Sequence, residues 1–287
     1  MEIDEYLSEK QKKKKKKQAY LRLAIALGAL YLVVAGVAWL VFQSPLFAVY
    51  EVRVEGNEAV PSGDVISLLQ AAALRDHGFW RSALGFGNML VWPNALASSD
   101  LAFIPELSSV TVVKSYAAHT ITAHVTERKP FAIWCLMPTG AGNGTAASAG
   151  TPDIAANERC YWFDAQGVAF EKAFDTEGSL VFAVHDYSGS NSGLGLGKTI
   201  LPPEFAPNMV SIINVIRESG IDAKEIALSD IGLQQINVTT YGGPVLYFSL
   251  RFPADEDLAV LQSLMAQPGF SKLQYLDFTV ENRAYYR

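Results

Sequence analysis

Residues 23–42 carry no charge and are apolar on every side of a helix, with no polar stripe. At the α-helical rise this run is about 30 Å long, the thickness of a bilayer's hydrocarbon core. The pattern predicts a transmembrane helix rather than a surface-lying amphipathic one. Trp39 stands near its far end, where an indole suits the headgroup boundary, and Tyr20 and Arg22 mark the near end. The competing reading is a cleaved signal peptide. Its apolar core is shorter, about 7–15 residues, and no small-residue cleavage site stands before Pro45.

Beyond the helix the period shortens. Val52 and Val54 alternate with charged residues up to Gly56 and Asn57, predicting a strand and a turn. Pro61 to Asp64 offers a helix start, with Ser62 as cap and Asp64 in the first turn, followed by Val65, Ile66, Leu68, Leu69, Ala72 and Ala73 at helical spacing. Pro93 is placed to open a second helix carrying Leu96, Leu101, Phe103 and Ile104. Residues 110–116 and 121–126 predict two strands joined by a turn at 116–120. Two helices on one face of a three-stranded sheet would bury these apolar stripes.

From Phe131 onward strands dominate. They are predicted at 131–136, 159–164, 168–170, 180–185, 221–228, 231–239, 245–252, 273–280 and 283–286, with helices at 204–220 and 255–266. Gly220 and the Pro268-Gly269 pair stop the helices, and Ala165-Gln-Gly167 turns a hairpin. Residues 138–157 are rich in Gly, Ala, Ser and Thr and predict a flexible exposed insertion. The fold class is therefore α+β.

Charge sets the topology. Lys12 to Lys17 form an unbroken lysine run, and through Arg22 there are eight Lys/Arg against four Asp/Glu. Residues 1–22 thus form a basic tail that would stay in the cytoplasm. The rest carries fifteen Lys/Arg and twenty-five Asp/Glu, a poor surface for nucleic-acid phosphates. It reads as an extracytoplasmic part with no call on cytosolic ATP. There, Cys135 and Cys160 flank the 138–157 tract. If their strands pair, the thiols would sit opposite each other and could form a disulfide; the alternative is two buried free thiols.

Several segments together resemble the FtsQ/DivIB family of bacterial cell-division proteins. They are Phe47-Ala-Val-Tyr-Glu-Val-Arg-Val-Glu-Gly-Asn57, Pro105-Glu-Leu-Ser-Ser-Val110 and Val125-Thr-Glu-Arg-Lys-Pro-Phe-Ala-Ile-Trp134, with Glu127 to Pro130 the best match. Tyr161-Trp-Phe-Asp-Ala-Gln-Gly-Val-Ala-Phe-Glu171 is similar to the family's Asp-x-x-Gly hairpin, and 275–279 with 282–286 to its terminal strands. Departures are the 117–119 tip, Phe278-Thr279 and the 138–157 insertion. The resemblance implies a POTRA-like domain at 46–128 and an FtsQ-type β domain at 129–287. It also implies a non-catalytic single-span scaffold at the division septum that docks FtsB- and FtsL-type single-span proteins. A terminal sheet edge can accept a partner strand, and Leu276, Phe278, Val280, Tyr285 and Tyr286 are the expected partner-binding residues.

Other chemistry is weakly supported. Residues 192–199 end in Gly-Lys-Thr, but Ser192 stands where a phosphate-binding loop needs its first Gly, and Pro202 and Pro203 follow soon after. His77, His119, His124 and His185 have no near partner at metal-ligand spacing, so no metal, cofactor or catalytic residue is expected. His119 and His124 would face opposite ways if both lay on one strand. The alternatives are a POTRA-bearing secretion or assembly factor, which would need a large β-barrel, and a membrane-anchored cell-wall enzyme, which would need a catalytic group not found in the pattern.

Overall fold

A computed structural model describes residues 2–75, 83–138, 159–178, 180–190 and 193–287. Residues 139–157 of the expected insertion, His77 and Ser192 lie outside the described residues. The chain is α+β, with an N-terminal apolar helix, five α-helices among the described residues and two sheets. By contacts it divides into two compact units. One comprises Met1–Glu55, Leu69–Asn94 and Val112–Ala123; the other comprises Gly56–Leu68, Ala95–Thr111 and His124–Arg287.

Helix α1 runs Glu2–Gln43, continuing through the lysine run. Its segment Tyr20–Gln43 is long and apolar enough to cross a membrane. In the same unit the chain after the helix is held by backbone bonds: Met89 donates to Phe47 O (2.7 Å) and Val49 to Gly87 O (2.8 Å). The Asn88 amide donates to Val41 O at the helix end (2.8 Å).

The smaller sheet has order β1–β3–β2, with β1 Glu51–Glu55, β2 Leu107–Ser115 and β3 Thr120–Glu127. Helix α2 spans Ser62–Arg75. Ser62 is already helical, and it is the Pro61 carbonyl that accepts from Asp64 and Val65. The cap thus falls one residue earlier than the Ser62 pattern suggests. The helix expected after Pro93 shrinks to α3, Ser98–Leu101. The preceding backbone is extended, with Ala95 bridging Thr111 and Leu96 donating to Val110 O. Pairing with a strand claimed those residues before a helix could. His119 has φ 55° and lies in the β2–β3 turn, not on a strand with His124. Gly56 has φ 87°, and a Cβ there would come within 2.4 Å of Val125 O, so only glycine fits that turn.

The larger sheet has nine strands in the order β12-β11-β10-β9-β8-β7-β4-β5-β6. These are β4 Ala132–Leu136, β5 Cys160–Phe163, β6 Ala169–Ala173, β7 Ala183–Asp186, β8 Ala223–Leu228, β9 Gln235–Thr240, β10 Val245–Ser249, β11 Tyr275–Val280 and β12 Arg283–Tyr286. Leu180, expected to begin β7, is fully exposed. The stretch expected to open β9 is a short turn of 3-10 helix, Ile231–Leu233, and Gln234 takes φ 54° before the strand starts.

Pairs β4–β7, β7–β8 and β10–β11 are parallel, and the remaining neighbours antiparallel. Parallel neighbours need a crossover. Helices α4, Ala206–Ser219, and α5, Asp257–Met265, fill that role between β7 and β8 and between β10 and β11. Both bury their apolar stripes in one core, Met209, Ile212 and Ile216 from α4 and Leu261 and Leu264 from α5, against Trp134, Phe163, Phe248, Leu276 and Phe278. Gly220 stops α4 in the left-handed conformation (φ 71°).

Candidate functional site

The terminal hairpin is positioned by its inner residues. Leu276 and Phe278 are 0% and 1% exposed, and Phe278 stacks on Phe248 at 5.2 Å between ring centroids. Period-2 alternation turns these two of the expected partner-binding residues into the core. Val280, Tyr285 and Tyr286 are 44%, 46% and 57% exposed. β12 pairs with β11 on one side and ends the strand order on the other. Arg287 uses its backbone inward, accepting from Gln274 N and donating to Tyr275 O. Antiparallel alternation then directs the N–H and C=O of Tyr286 outward.

Register carries one row of side chains across the face opposite the helices. Tyr285 pairs with Asp277, Asp277 with Tyr247, Tyr247 with Asn237, and Asn237 with Ala227. The row continues through His185 to Cys135 and Cys160. Cys135 and Cys160 are direct partners on antiparallel β4 and β5, joined by a disulfide, with Cα atoms 4.0 Å apart.

Beside the disulfide lies a polar cluster that sequence spacing did not reveal. His185 is 7% exposed. Its Nε2 is 2.9 Å from Asp175 Oδ1, and its Nδ1 is 3.5 Å from Glu225 Oε1. The latter distance is too long for a good hydrogen bond, and that buried nitrogen has no hydrogen-bond partner among the described residues. Tyr187 donates its hydroxyl to Glu225 Oε1 (2.8 Å), and burial, then the Glu225 carboxylate, push the Tyr187 phenol above its usual range. Asp175 Oδ1 is also 3.7 Å from Cys135 Sγ. The ligand atoms of Cys135, Cys160 and Asp175 converge within 4.8 Å of one another. His185, read as isolated in sequence, stands outside that group of three and reaches it through its contact with Asp175. Strand register assembles the cluster.

The Glu127-Arg128 pair of the best-matching motif is structural. The Glu127 carboxylate accepts from the backbone N–H of Glu58, Ala59 and Val60 at 2.9–3.1 Å. Burial raises its pKa, but these three donors outweigh that and hold it below the usual carboxylate range. Arg128 pairs with Asp164, and both side chains are largely buried. Asp164 Oδ1 also accepts from Gln166 and Val168 N, closing the hairpin turn, where Gly167 has φ 75° and a Cβ would meet Ala206 at 3.0 Å.

The glycine-rich segment before Thr199 lies along β6. Ala169 donates to Lys198 O and Gly197 to Ala169 O, and the Lys198 ammonium donates to Gly193 O. Helix α4 begins only at Ala206, so no helix N-terminus faces that loop. Comparison with known protein families finds no match for this chain, and no curated protein matches it.

Proposed function

We propose that this chain is a non-catalytic, single-span scaffold of the bacterial divisome. In this reading α1 anchors it with the basic tail in the cytoplasm. The region around β1–β3 is POTRA-like, and the β12 edge docks FtsB- or FtsL-type single-span proteins outside the membrane at the septum. The carrying observation is the edge itself: among the described residues β12 has no strand on its outer side, and Tyr285 and Tyr286 of β12, with Val280 at the end of β11, are exposed to solvent. An edge of this kind gives a partner strand backbone hydrogen bonds for affinity and side-chain pockets for specificity. Anchoring by α1 confines the edge to the membrane surface, which raises its effective concentration toward other anchored chains.

Two measurements test the reading. A fluorescent fusion should gather at midcell during division; uniform membrane distribution throughout the cycle counts against it. Tyr286→Pro removes an outward N–H without touching the inner ladder. It should abolish co-purification of FtsB- or FtsL-type partners while the thermal melt stays unchanged. Undiminished co-purification would reject the edge as the docking site.

A further inference from the structure

We propose that the reduced protein binds one Zn2+ through Cys135 Sγ, Cys160 Sγ, His185 Nε2 and an Asp175 carboxylate oxygen, the disulfide being the metal-free form of the same site. The donor set is the first support. Two sulfurs, one imidazole and one carboxylate make a four-ligand set suited to tetrahedral zinc. The Cys135, Cys160 and Asp175 atoms already lie within 4.8 Å of one another, and His185 Nε2, outside that group, would join it from its 2.9 Å contact with Asp175 Oδ1.

The spacing is the second. Zn–S near 2.3 Å and Zn–O near 2.1 Å in a tetrahedron place sulfur and oxygen about 3.6 Å apart. Asp175 Oδ1 and Cys135 Sγ are 3.7 Å apart. Nitrogen and oxygen ligands would stand about 3.4 Å apart, and the present 2.9 Å between Asp175 Oδ1 and His185 Nε2 needs a small opening. Once the disulfide is broken, rotation about the two side chains would let the sulfurs stand about 3.8 Å apart, as two tetrahedral zinc ligands do.

The surroundings are the third support. A zinc-bound imidazole commonly gives its other N–H to a carboxylate, which fixes the ring and strengthens the ligand. Glu225 stands on the Nδ1 side of His185, and Tyr187 in turn donates to Glu225. His185 Nδ1 is buried and has no hydrogen-bond partner among the described residues, so a ring shift on binding zinc gives that nitrogen an acceptor. Asp175 is about a third exposed at its side chain, which leaves an entry path for the ion.

The chemistry balances with a dithiol as reductant. The dithiol gives two electrons and two protons to the Cys135–Cys160 bond and becomes a disulfide itself. The two thiols then release those protons to solvent as their sulfurs bind the cation. In the reverse direction a small-molecule disulfide accepts the two electrons, becomes a dithiol by taking two protons from solvent, and the re-formed Cys135–Cys160 bond releases the zinc.

The test uses the full chain in detergent micelles, oxidised and dithiol-reduced, with Zn2+ and with Co2+ as a coloured probe. The reduced chain should retain stoichiometric Zn2+ after gel filtration and the oxidised chain none. The Co2+ form should show sulfur-to-cobalt charge transfer and the visible bands of tetrahedral cobalt. Cys160→Ser should weaken the charge-transfer band, and His185→Ala should lower affinity at least about tenfold. Glu225→Gln, at a positioning residue, should lower affinity by about tenfold while leaving the spectrum tetrahedral. A reduced chain that keeps its cooperative melt yet takes up no Co2+ overturns the proposal. So does an unchanged affinity in His185→Ala, which would mean an adventitious thiol pair only. A reduced chain that cannot be kept folded even in excess Zn2+ overturns it as well, since a bound ion must stabilise the folded state.

Discussion

Strands β4 and β7 are buried at every position, whereas the first four residues of β9, β10 and β11 alternate between partly exposed and buried. Both groups belong to one sheet and share one helix-covered core. The difference lies on the opposite face. Under β4 and β7 that face holds Ile133, Cys135, Cys160, Ala173 and Ala183, packed with Met137, Trp162 and Val181. Under β9 to β12 it holds Asn237, Tyr247, Asp277 and Tyr285, which carry hydrogen-bonding groups that water can satisfy. A strand covered on both faces has little left to offer a partner except its position. A strand covered on one face, at the end of a sheet, can offer both a row of side chains and an unpaired backbone.

The sharpest way to break this comparison is to remove a side chain from the doubly covered half. Trp134, 0% exposed at the centre of β4, should cost about 3–5 kcal/mol as Trp134→Ala, read from the denaturant midpoint at constant m. A loss under about 1 kcal/mol would mean the centre is no more tightly packed than the edge. Next comes Arg128→Ala, which leaves buried Asp164 without its cation and should cost about 3 kcal/mol or more. The double variant with Asp164→Asn should recover part of that loss; strict additivity would deny the coupling.

The third test moves to α5, over the singly covered half. Burial, then the neighbouring Glu256 charge, push the Asp257 carboxyl up to about 6. A carboxyl with a folded pKa above its unfolded value favours folding below the unfolded pKa. That contribution is lost as pH rises through the folded value. Asp257→Asn, which cannot ionise, should therefore stabilise the protein by about 1–2 kcal/mol at pH 7.5 and lose that advantage near pH 4. Equal effects at the two pH values would sink the assignment. The smallest stability effect belongs to the edge. Tyr285→Ala should shift stability by no more than about 0.5 kcal/mol while weakening FtsB- or FtsL-type partner binding at least about tenfold if the docking proposal holds. A large stability loss would place Tyr285 with the core instead.

Much of this architecture is legible in the sequence because each element answers to a local period. Val52 and Val54, or Leu276 and Phe278, announce strands by alternation, and Gly220 announces a helix end by its freedom at positive φ. The same alternation, taken one step further, already divides Leu276 and Phe278 from Tyr285. What local pattern lacks is the identity of the neighbour. Ala95 and Leu96 follow a proline that could open a helix, and pairing with strand β2 holds them instead. The His185 cluster is illegible for a related reason. It requires Cys135 to pair with Cys160 on one side and with His185 on the other, and the second pairing is parallel across a long crossover.

The strand order also bears on how the sheet can be assembled. From β6 to β12 the spatial sequence is β6-β5-β4-β7-β8-β9-β10-β11-β12. Once the β4–β5–β6 meander exists, every later strand joins the one laid down just before it, except β7, which joins β4. A chain emerging from its N-terminus can thus zip the sheet in order of synthesis, with no strand waiting for a neighbour not yet made. The slow closures are the three parallel pairings, because each must bridge a long loop before any contact rewards it. Among the described strands β12 arrives last. Until then the growing sheet exposes one interim margin after another, each masked by the strand that follows it.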